Sequence, residues 1–98
     1  MNLQINKEAL ETFCRKNNIH KLSLFGSVLR SDFNENSDVD VLVEFSRQHT
    51  PGLFAMARMQ RELSELFNGR RVDLRTPQDL SRYFRNEVIA KAEVRYAA

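Results

Sequence analysis

The stretch GSVLRSDFNENSDVDVLVEF, residues 26–45, decides how this chain is read. Asp38 and Asp40 stand two apart at the start of an apolar run, and a strand turns every second residue to the same face. Both carboxylates therefore point the same way. At a separation of ~5 Å and an effective dielectric near 20, two such charges repel by roughly 3 kcal/mol. Some positive group has to offset that cost.

The alternation around the two aspartates predicts a strand over residues 38–45. Val39, Val41, Val43 and Phe45 form an apolar face, and Asp38, Asp40, Leu42 and Glu44 form the other, so one side packs on a core and the other is open. Working outward, the polar residues 30–37 contain the single apolar side chain Phe33 and read as a loop. Ahead of them, KLSLF (residues 21–25) reads as a strand with Leu22 and Leu24 on one face and Lys21 and Ser23 on the other. Gly26 ends it with a turn, and a short helical turn follows from Ser27. Asn6 suits an N-cap before a helix carrying Leu10, Phe13 and Cys14 and ending near Asn17 and Asn18.

Downstream, Pro51 fits the first turn of a helix to residue 67, striped by Met56, Met59, Leu63 and Leu66 and stopped by Asn68 and Gly69. RRVDLRT (residues 70–76) repeats the strand pattern, with Val72 and Leu74 inward and Arg71, Asp73 and Arg75 opposite. Thr76, Pro77 and Asp79 open helical structure through Leu80, Phe84 and Val88, and EVRY (residues 93–96) reads as a short edge strand. The expected fold is α/β (α+β): a small mixed sheet of three to four strands with helices packed on one face.

Ninety-eight residues suffice for one modest core, so residues 1–98 are read as a single domain. With 42% hydrophobic and 29% charged residues, the chain has the balance of a soluble globular protein. No segment approaches the ~20 apolar residues of a membrane span, and the N-terminus does not resemble a signal peptide, so a cytoplasmic location is expected. A net charge of +2 with scattered Lys and Arg gives little support to nucleic-acid binding. The lone Cys14 is read as core packing. His20 and His49 lack partners at catalytic or metal spacing and are read as surface residues, and Tyr83 and Tyr96 as half-buried packing.

Were the strands carrying Asp38, Asp40 and Asp73 neighbours, three carboxylates would gather on the open face. Such oxygen donors beside an anion-binding turn suit Mg²⁺, which takes one or two carboxylates plus substrate phosphates. Gly26 lets backbone N–H groups approach a phosphate, Ser27 adds a hydroxyl, and Arg30 reaches the same phosphates. The chemistry this predicts is in-line displacement at a nucleotide phosphorus, with two metals roughly 3.5 to 4 Å apart. A lone D-x-D would instead be a solvated face offset by Arg30, Arg71 and Arg75, each pair worth ~0 to 1 kcal/mol. The Gly-Ser turn and Asp73 together outweigh that reading. Glu44, further along the strand, is read as solvated, and Arg71 and Arg75 as surface charges, with contact to phosphate or to a partner as the alternative for either.

Gly26-Ser27, ten intervening residues, Asp38-Val39-Asp40 and a later Asp73 between Val72 and Leu74 resemble the polymerase-β-type nucleotidyltransferase superfamily. The closer likeness is to its minimal nucleotidyltransferase branch, found as the antitoxin half of HEPN/MNT toxin–antitoxin pairs. It spans LFGS, SDVDVLVEF, PGLF, GRRVDLRTP and the closing helix in family order. The resemblance implies that Gly26, Ser27 and Arg30 bind the triphosphate of ATP. It also implies that Asp38, Asp40 and Asp73 are the catalytic, metal-binding carboxylates, with two Mg²⁺ ions. Ser31 departs from the glycine that many relatives carry there. The implied reaction is AMP transfer to a hydroxyl, typically a tyrosine, of a HEPN ribonuclease toxin. The alternatives are a binding-only antitoxin or adaptor, and a stand-alone enzyme acting on a small molecule or RNA end.

Overall fold

The computed structural model describes residues 5–47 and 49–98. Helix α1 spans Lys7–Lys16, and Asn6 caps it by accepting the Ala9 N–H at 3.0 Å. At its other end Asn18 takes a positive φ of 57°, a conformation asparagine tolerates, and the chain turns directly into strand β1, Ile19–Phe25. The strand thus begins two residues before the expected Lys21, because the turn is that tight and Ile19 belongs to the core.

Gly26–Leu29 form a 3₁₀ turn, and β2 covers Val39–Phe45, leaving Asp38 just outside the strand. Helix α2 runs from Leu53 to Leu66. Its N-cap is Gly52, whose extended backbone (ψ 178°) interrupts helical geometry, so Pro51 precedes the helix and is not in its first turn. Asn68 (φ 61°) and Gly69 (φ 83°) end the helix in left-handed conformations, as their types foretold. Strand β3 is Val72–Arg75, helix α3 Arg85–Lys91 and strand β4 Glu93–Ala97.

The expected helical run from residue 77 is broken. Thr76 and Asp79 make a capping box around a single 3₁₀ turn at Pro77–Asp79, after which Leu80 is extended (φ −81°, ψ 146°). Arg85 reaches back to donate from Nε to the Pro77 carbonyl at 2.7 Å and from Nη2 to the Leu80 carbonyl at 3.2 Å. A side chain thus supplies partners for carbonyls near the break. Tyr83 lies in the intervening connection, so it is 79% exposed and not half-buried. Tyr96, on β4, packs against the core.

The sheet order is β3-β2-β1-β4, with β2 parallel to β3 and the other pairs antiparallel. Leu22, Leu24, Val39, Val41 and Val43 join Leu10, Phe13, Cys14, Met59, Leu63 and Phe67 in one cluster, so α1 and α2 cover a single face. The opposite face is closed at its centre. Leu42 and Ser23, register partners there, are each only 2% exposed, whereas the alternation had put both on the open side. Leu42 lies on the inner strand β2 between its partners Ser23 and Arg75, and those neighbours screen it from water. Among the described residues, no helix is long and apolar enough to cross a membrane.

Candidate functional site

Two features of the position favour glycine at residue 26. Its φ is +70°, and a Cβ there would collide with Asp40 Oδ2 while lying 3.2 Å from Asp40 Cγ. The turn after β1 is therefore pressed directly against the Asp40 carboxylate. Ser27 locks the other side: its hydroxyl donates to the Asp38 carbonyl at 3.1 Å, and its backbone N–H donates to the Asp40 carboxylate.

Parallel pairing of β2 and β3 sets Asp40 opposite Asp73 and Val39 opposite Val72. Both aspartates point away from the α1/α2 core, because the alternating valines and leucines are buried on the other side. Burial pushes the Asp40 carboxyl above the usual carboxylate range, and the negative charges of Asp73 and Asp38 push it further. The Ser27 N–H and Arg75 act in the opposite direction. Asp40 is thus a half-buried acid crowded by two like charges.

The two outer carboxylates are held by arginines. Arg71 Nε lies 3.0 Å from Asp38 Oδ1, and Arg75 Nε lies 3.1 Å from Asp73 Oδ2. As the side chains stand, no three carboxylate, histidine or cysteine groups among the described residues converge to clasp an ion. The strands are neighbours, as the alternation allowed, and Asp38 and Asp73 are turned onto guanidiniums. The donors remain all oxygen, which suits Mg²⁺ over softer metals. Arg30 follows the 3₁₀ turn, but its Nε is engaged by Asp32 Oδ1 at 3.2 Å.

Sequence reasoning overlooked the part played by the two arginines that open the third strand motif. Arg70 stacks over the Phe33 ring at 4.5 Å and donates to the Asn34 carbonyl at 2.6 Å, while Arg71 donates to the Asn36 carbonyl at 3.2 Å. Together they tie the loop between Gly26 and Asp38 to β3. The only signal in the sequence was an Arg-Arg pair set against a loop with one phenylalanine. His20 and His49 are exposed, and burial raises the Cys14 thiol to about 12, an unreactive value.

Residues 6–96 match the family described as nucleotidyltransferase domain. The chain belongs to that family. A candidate protein adenylyltransferase of Methanocaldococcus jannaschii is 29% identical over 92 residues, covering 94% of this chain and 96% of that protein. The protein adenylyltransferase MntA of Thermococcus cleftensis is 37% identical over 68 residues, 69% of this chain and 62% of its own length. Among solved structures, a candidate minimal nucleotidyltransferase matches at TM-score 0.71 and 34% identity, over 88% of this chain and 85% of that one. A toxin–antitoxin complex crystallised with AMP-PNP matches at TM-score 0.74 and 21% identity, over 96% and 75% of the two chains. A tri-AMPylated Shewanella oneidensis HEPN toxin in complex with its MNT antitoxin matches at 0.65 and 19%, over 94% and 70%. The last two establish likeness of fold. As a member of the nucleotidyltransferase family with the minimal fold, this chain is an enzyme of that class.

Proposed function

We propose that this nucleotidyltransferase moves AMP from ATP to a tyrosine hydroxyl of a HEPN-type toxin, with Mg²⁺, and acts as that toxin's antitoxin in the cytoplasm. The observation that carries the reading is the register that sets Asp73 beside Asp40, against the Gly26–Ser27 turn. In support stand the relatives named as protein adenylyltransferases, the fold shared with a nucleotide-bound antitoxin complex, and the one shared with an MNT antitoxin on an AMPylated HEPN toxin.

Gly26, Ser27 and Arg30 would hold the triphosphate, and Asp38, Asp40 and Asp73 the metal, which supplies Lewis-acid stabilisation of charge on the reacting phosphate. Asp73 would also accept the proton of the attacking hydroxyl. The tyrosine oxygen bonds to the α-phosphorus, the bond between that phosphorus and the bridging oxygen breaks, and pyrophosphate leaves. The arginine pairs on Asp38 and Asp73 favour a second reading, in which the chain neutralises its partner by binding alone.

Intact mass spectrometry of the partner toxin after incubation with ATP and Mg²⁺ separates the two. The unmodified chain should add one or more AMP units, and an Asp38→Ala, Asp40→Ala version none. A tight complex without mass gain from either version would leave only the binding reading.

A further inference from the structure

Arg71 and Arg75 flank the third carboxylate in sequence, and the fold fixes where each can act. The Arg71 carbonyl accepts the Val39 N–H at 2.8 Å, which anchors its backbone beside Asp38. Arg75 lies two residues from Asp73 on the same face of β3 and is the register partner of Leu42. Their guanidiniums bond Asp38 and Asp73, that of Arg71 also donating to the Asn36 carbonyl at 3.2 Å, while Asp40 takes the Ser27 N–H. Three carboxylates and two guanidiniums leave this patch with a single negative charge, which offsets the repulsion that the D-x-D spacing creates.

Both pairs lie open to solvent. The Arg71 side chain is 78% exposed and that of Arg75 45%, and such solvated pairs are worth ~0 to 1 kcal/mol each. A divalent cation competes for the same oxygens with twice the charge. Once displaced, a guanidinium is a planar fork matched to phosphate oxygens.

We propose that Arg71 and Arg75 are exchangeable counter-ions: they hold Asp38 and Asp73 in the metal-free chain and pass to the phosphates of the nucleotide when a divalent cation takes the carboxylates. The inference rests on the reading of the three aspartates as metal ligands given above. It accounts for their failure to converge as they stand, since the outer two are drawn aside.

The test titrates the full chain with Mn²⁺ alone, read by electron paramagnetic resonance, and then with a non-hydrolysable ATP analogue in saturating Mn²⁺, read by calorimetry. Arg71→Gln with Arg75→Gln should bind Mn²⁺ alone about fivefold more tightly than the unmodified chain. It should bind the nucleotide about tenfold more weakly. Arg58→Gln with Arg82→Gln, the same charge change elsewhere, should stay within about twofold of the unmodified chain in both. Unchanged or weaker Mn²⁺ binding by the Arg71, Arg75 variant overturns the exchange, as does unchanged nucleotide binding. Arg71→Lys with Arg75→Lys keeps the charge and loses the fork, and full nucleotide affinity in that variant would also overturn it. If no version binds Mn²⁺, the metal-ligand reading fails and the exchange with it. Mn²⁺ binding that Asp38→Ala, Asp40→Ala abolishes, without a gain in the glutamine variant, sinks the exchange alone.

Discussion

Asp40 shows what a reactive position costs the fold. Its carboxyl is held above the usual range by burial first and by Asp73 and Asp38 next. For an acid whose folded pKa exceeds its unfolded value, the native state binds more protons, so its ionisation lowers stability as pH rises from about 4 through the raised value. Asp40→Asn keeps the shape and an acceptor for the Ser27 N–H while removing that charge. It should raise stability at pH 7 and remove the loss of stability that sets in as pH rises above about 4. Urea denaturation at several pH values reads this directly, and a destabilised Asn variant would contradict the electrostatic account. AMP transfer should be lost in the same protein.

At the level of elements, the break between Pro77 and Arg85 is spanned by the Arg85 side chain, while Ser81 accepts the Phe84 and Arg85 N–H groups at its carbonyl. Arg85 bonds two carbonyls, those of Pro77 and of the extended Leu80 itself, at 2.7 and 3.2 Å. Hydrogen bonds involving a charged group contribute ~1.5 to 3 kcal/mol when well formed, less when partly solvated. Arg85→Ala should therefore cost about 1 to 2 kcal/mol. A melting temperature unchanged from the unmodified chain would show that the break needs no such tie. A periodic reading could not foresee this interruption, because Leu80, Phe84 and Val88 keep helical spacing across it.

For the molecule as a whole, the single thiol reports on unfolding. Cys14 is fully buried within the core cluster under α1, and burial pushes its pKa up to about 12. Its modification by an aromatic disulfide reagent at pH 8 should be slow in native conditions and track the global unfolding transition in urea. Fast labelling without denaturant would reveal local opening of α1 instead.

Much of this architecture is legible in the sequence, because period-two alternation in residues 38–45 and 70–76 and the Asn6, Asn68-Gly69 and Thr76-Asp79 signals are local consequences of backbone geometry. The same locality makes Gly26-Ser27 and Asp38-Val39-Asp40 readable as motifs, and Asp73 is joined to them in the sequence by its matching alternation and by the family resemblance. Other features depend on residues distant in sequence, and only the tertiary structure decided them. The parallel pairing of β2 with β3 chose which carboxylate faces Asp40, and strand order buried Leu42 and Ser23 on the face expected to be open. Side-chain reach then gave Arg71 to Asp38, an ion pair between residues distant in sequence, whereas the Arg75–Asp73 pair follows from their two-residue spacing on one strand face.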